Sequence, residues 1–95
     1  MRLGRETVVT VKFVGSLRSL AGKSKLVLKA GKTASLVEVM KKMAEESPKL
    51  KPALANSKAG MLILVNGKEI SVLNGLETLL KDGDDVVLVP VIHGG

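Results

Sequence analysis

Cysteine, tryptophan and tyrosine are absent from the 95 residues, and Phe13 is the only aromatic. Without cysteine there are no disulfides, no thiolate nucleophile and none of the commonest zinc and iron–sulfur ligands. His93 is the only histidine, so no metal site is expected. As the one candidate general acid or base, it has no Ser, Asp or Glu placed by sequence to orient it. No catalytic residue is therefore expected. A lone aromatic offers no platform on which bases could stack. Eighteen consecutive apolar residues occur nowhere, and residues 1–6 lack the apolar stretch of a signal peptide. The expectation is a cytoplasmic protein without a membrane partner.

What is present is aliphatic and basic. Apolar residues make up 45% of the chain, and fifteen Lys and Arg against nine Asp and Glu leave a formal charge of +6. Such a balance invites a nucleic-acid reading. The lysines are scattered from Lys12 to Lys81, however, and a solvated surface explains them better, so no nucleic-acid partner is expected. The length suits a single domain over residues 1–95 with a modest core. Residues 1–6 read as a disordered basic arm and residues 93–95 as a flexible tail.

Residues 7–14 are rich in β-branched side chains and alternate, with Val9, Val11 and Phe13 on one side and Thr10 and Lys12 on the other, which predicts a strand buried on one face. Residues 15–22, bracketed by glycines, read as a loop, and Lys25 to Lys29 resume the alternation. This is a hairpin with a long loop, in which Leu20 reads as a plug for the core and Leu17 as either a plug or a partner contact. Ser35 and Glu38 match a capping box, and a helix to about Glu46 places Leu36, Val37, Val39, Met40, Met43 and Ala44 on one arc. Pro48 stops it, and residues 48–60 form a connector with room for a short helical turn. Residues 61–65 are a third strand, and Asn66-Gly67 is a type I′ hairpin signal into a short fourth strand at Glu69-Ile70. Residues 73–80 suggest a helical turn that drops leucines onto the core edge. The fold class is α+β.

The last stretch, Asp85 to Gly95, is an almost wholly apolar run that finishes on two glycines. Apolar residues at consecutive positions put its strand in the centre of a sheet or under cover on both faces. If Val86 and Leu88 face the helix, then Val87, Val89 and Val91 face away and form a patch for a partner. Glycine is costly to order, yet it passes where bulkier residues cannot. Gly94 and Gly95 therefore read either as a thin carboxylate to be threaded into another protein or as a frayed terminus.

The order strand, strand, helix, strand, short strand, helical turn, strand resembles the ubiquitin-like β-grasp fold. Residues 13–22, Phe-Val-Gly-Ser-Leu-Arg-Ser-Leu-Ala-Gly, resemble the aromatic-to-Leu-Ala-Gly loop of the MoaD family. Val65-Asn66-Gly67 and Lys81-Asp82-Gly83-Asp84 resemble other turn motifs of MoaD and ThiS. Val89-Pro90-Val91-Ile92-His93-Gly94-Gly95 is similar to the proline-bearing terminal strand and Gly-Gly end of MoaD, ThiS, small archaeal modifiers and ubiquitin-related modifiers. His-Gly-Gly is nearest the last of these.

This resemblance implies a mixed four- to five-stranded sheet packed on one main helix, with a flexible C-terminal Gly-Gly tail. It also implies a carrier or modifier in place of an enzyme, with no bound cofactor. A ubiquitin-activating-type adenylyltransferase would use ATP to adenylate the Gly95 carboxylate, with Gly94 giving clearance. Sulfur attack would then leave a thiocarboxylate for a molybdopterin, thiazole or tRNA-thiolation pathway, and lysine attack an isopeptide bond on a target protein. Further partners implied are a sulfurtransferase or the large subunit of a synthase. The tail and partner contacts would be His93, Ile92, Val91, Val89, Val87 and Leu17. The rival reading is a small β-grasp binding module, for protein or RNA, without tail chemistry.

Overall fold

The computed structural model describes residues 6–32, 34–55 and 60–91. The chain forms β1 (Thr7–Phe13), α1 (Ser16–Ala21), β2 (Lys25–Ala30), β3 (Ala34–Ser35), α2 (Leu36–Glu46), α3 (Lys51–Ala55), β4 (Met61–Val65), β5 (Lys68–Glu69), β6 (Leu79–Leu80) and β7 (Asp85–Pro90). Five strands make one mixed sheet in the order β2-β1-β7-β4-β5, while β3 and β6 pair separately. β7 lies parallel to β1 and antiparallel to β4. It is central, one of the two placements that its unbroken apolar run allows.

α2 covers one face of this sheet, and the alternation of each strand decides which residues it covers. Val9, Val11 and Phe13 of β1, Leu26 and Leu28 of β2, Ile63 and Val65 of β4, and Val86 and Leu88 of β7 are buried with Leu36, Val39, Met40 and Met43 of α2. The helix begins where the capping box places it: the Glu38 N–H donates to Ser35 Oγ (3.4 Å), and the Ser35 N–H donates to Glu38 Oε1 (3.2 Å). Two amide groups that the first helical turn leaves without backbone acceptors are thereby satisfied. At the other end the Ser47 N–H closes on the Met43 carbonyl and Pro48 starts a 3-10 turn. That turn delivers Leu50 into the core at 0% exposure. The Asn66-Gly67 turn has φ of 50° and 84°, both positive as a type I′ hairpin requires.

Three expectations are corrected. Residues 15–22 are not a loop: Ser16–Ala21 is helical, closed by Gly22 in the left-handed region. On that helix Leu17 is the core plug at 2% exposure and Leu20 is the exposed one at 41%, because the turn from Gly15 aims Leu17 at β1 and β7. Residues 73–80 hold a 3-10 turn at Gly75–Glu77, but Leu79–Leu80 is a strand that pairs with Ala34–Ser35. Leu80 is buried there while Leu79 stays outside. The basic arm, but for Glu6, and residues 92–95 lie outside the described residues.

Candidate functional site

Of the expected site residues, Gly95, Gly94, His93 and Ile92 lie outside the described residues, and Val91 is the last one placed. The structure does define the base from which they continue. Its position follows from β7 being the middle strand, so that the chain leaves the sheet between two neighbours. On one side the Val14 N–H donates to the Leu88 carbonyl (3.2 Å), and on the other the Val91 N–H donates to the Gly60 carbonyl (2.9 Å). Gly15 passes so close that a Cβ added to it would sit 3.3 Å from Pro90 Cγ, and its φ of 62° is one that side chains disfavour. The backbone conformation thus calls for glycine at this position, and the close approach to Pro90 leaves little room for a side chain.

The face of the sheet opposite α2 carries the remaining expected contacts. Val87 and Val89 lie on it and are half-buried, since neighbours on both sides cover part of each valine; Val91 is 42% exposed. Val87 is level with Lys12 of β1 and with Leu64 of β4, and Val89 is level with Leu62. Val14, 43% exposed, continues the outward side of β1 beside the base of the tail. The result is an apolar surface of Val14, Leu62, Leu64, Val87, Val89 and Val91 that narrows toward the tail. Leu17 is not part of it, because that side chain is buried in the core. Sequence reasoning missed Val14, Leu62 and Leu64. The signal that finds them is parity: counting by twos from Lys12 reaches Val14, and counting by twos outward from the buried Ile63 and Val65 assigns Leu62 and Leu64 to the open face.

Among the described residues no group of three or more His, Cys, Asp or Glu is arranged to hold a metal ion, and no helix is long and apolar enough to cross a membrane. The arrangement is an apolar face beside the point where the described residues end, at Val91.

Comparison with known proteins bears on what such a surface serves. The family model described as ThiS family matches residues 11–95. The chain is 30% identical over 95 residues to ubiquitin-related modifier 1 of Schizosaccharomyces pombe, covering 92% of this chain and 98% of the relative. Among solved structures it is similar to small archaeal modifier protein 1 of Methanosarcina acetivorans, with a TM-score of 0.82 and 32% identity over 97% of this chain and 100% of that one. It is also similar to a chain in the crystal structure of the BexX/CysO complex of Amycolatopsis orientalis, with a TM-score of 0.77 and 25% identity over 92% and 99% of the two chains.

Proposed function

The chain belongs to the ThiS family of ubiquitin-like β-grasp proteins, and from that premise we propose that it is a carrier whose Gly95 carboxylate is activated by a partner enzyme. Its relatives are modifiers by name, one eukaryotic and one archaeal; a carrier role without catalysis of its own agrees with them. The supporting observation is the base of the tail: a central strand held on the β1 side as far as Leu88 and on the other side as far as Val91, followed by four residues ending in Gly94 and Gly95, with an apolar face alongside. The partner proposed is a ubiquitin-activating-type adenylyltransferase that docks on Val87, Val89 and Val91. That one similar chain was solved in the BexX/CysO complex supports a protein partner in general.

The chemistry follows from the weakness of a carboxylate as an electrophile. Attack of a Gly95 carboxylate oxygen on the α-phosphorus of ATP releases pyrophosphate and gives an acyl-adenylate, whose AMP is a good leaving group. A sulfur nucleophile attacking the acyl carbon expels AMP and leads to the thiocarboxylate; a lysine amine does the same and gives an isopeptide. Gly94 supplies clearance, since a side chain there would meet the wall of a channel narrow enough to exclude water. ATP is thus the activating enzyme's substrate and not a cofactor of this chain. Deleting Gly95 is expected to abolish ATP-dependent pyrophosphate release with the cognate adenylyltransferase while leaving the thermal melt unchanged. Undiminished release from the shortened protein would refute the proposal.

A further inference from the structure

One long stretch of the chain carries cations alone. From Thr7 to Val37 there is no Asp or Glu, but Lys12, Arg18, Lys23, Lys25, Lys29 and Lys32 occur. Asp82 and Asp84 lie at the far end of the sheet, where Asp82 Oδ1 accepts from the Val8 N–H and Asp84 Oδ2 from the Lys81 N–H. β7 then runs six residues, about 20 Å at the rise of a strand, to the base of the tail. Midway along β7, Lys12 and Lys25 are directly opposite each other across β1 and β2, both exposed. Next to them, Arg18 and Lys23 line an open cleft of about 560 Å³ with Gly15, Ser19, Gly22 and Ser24.

Two like charges opposite each other on one face cost stability. Lys12 is also level with Val87, so through Lys12 the cations adjoin the apolar face. We propose that Lys12, Lys25, Arg18 and Lys23 form a cationic docking patch for an acidic surface of a protein partner, one that carries carboxylates beside its apolar contact and receives the tail. Charge complementarity of this kind steers encounter and fixes register more than it adds affinity. The occupant is a protein and not a nucleic acid on two grounds. The patch is continuous with an apolar face, and Phe13, the only aromatic, is 3% exposed and so unavailable for stacking. The inference rests on the reading of Gly95 as an activated carboxylate, because it names the chemistry of the enzyme surface that meets this end.

The test is steady-state pyrophosphate release with the cognate adenylyltransferase and full-length protein, over a range of salt. Lys12→Glu/Lys25→Glu is expected to lower kcat/KM at low salt by roughly tenfold or more, the loss appearing in KM, and to flatten the salt dependence seen with the wild type. Lys32→Glu/Lys81→Glu, which makes the same charge change at the far end, is expected to have a much smaller effect. The milder Lys12→Gln removes the repulsion and should raise the melting temperature while still lowering kcat/KM, which a merely structural lysine would not do. Unchanged kcat/KM and salt slope in Lys12→Glu/Lys25→Glu would overturn the proposal, as would equal losses from the far-end variant. So would retention of activation with loss of binding to mixed-sequence RNA. Activation of the wild type with no effect of the patch removes this inference alone, whereas no activation of the wild type removes it together with the functional reading.

Discussion

Val89 and its neighbour Leu88 in β7 carry different burdens. Leu88 points under α2 and is fully buried, whereas Val89 points to the open face opposite Leu62. Truncating Leu88 to Ala removes core volume and is expected to cost about 2–5 kcal/mol of stability. Val89→Asp should cost less than this and leave melting cooperative, because from a half-buried position on the open face the carboxylate reaches water in the free protein. Its cost appears on docking, when the charge must be desolvated against an apolar partner. A loss on the order of 2 kcal/mol, or roughly 30-fold in kcat/KM for pyrophosphate release, is the size a central contact carries. Cooperative melting lost in Val89→Asp would show that the open face is part of the fold and not a docking surface.

At the scale of elements, the start of α2 depends on a reciprocal pair of hydrogen bonds. Ser35→Ala removes the acceptor for the Glu38 N–H and is expected to lower stability by about 1 kcal/mol, read from the midpoint of urea unfolding at constant slope. Because the site is remote from the tail, pyrophosphate release should not change. This element was legible in the sequence, as were the central position of β7 and the Asn66-Gly67 hairpin, since each is written in a local pattern of spacing or turn chemistry. α1 was not. Six residues between glycines are too few to display a helical period, and what holds them is Leu17 inserted against strands distant in sequence. The β3–β6 pairing was hidden for a related reason: two-residue strands have no alternation to read, and Ala34 meets Leu80 only after the chain has made most of its circuit. Leu20 reads as the plug and Leu17 stays open in the sequence because nothing local fixes the rotation of a six-residue helix, which here buries Leu17 and leaves Leu20 outside.

For the molecule as a whole, the two ends of the sheet are built for different tasks. The far end is tied by polar groups: the Asn66 N–H donates to the Asp85 carbonyl, the Asp85 N–H returns a bond to Asn66 Oδ1, and Asn66 Nδ2 donates to Asp84 Oδ1. These bonds anchor the beginning of β7, so the strand presents a fixed base to whatever follows Val91. The near end combines an apolar face, a basic border and the chain's course toward Gly95. The central claim is that this end delivers a carboxylate for activation, and the mass of the C-terminal segment tests it most directly. Trypsin cuts after Lys81, the last lysine or arginine, so protein isolated from its native cells yields a peptide from Asp82 to Gly95. Part of that peptide is expected to carry sulfur in place of one terminal oxygen, or to be found as a branch on a lysine of another protein. A terminal carboxylate alone, with neither a thiocarboxylate nor an isopeptide remnant in cells that contain the activating enzyme, would contradict the account.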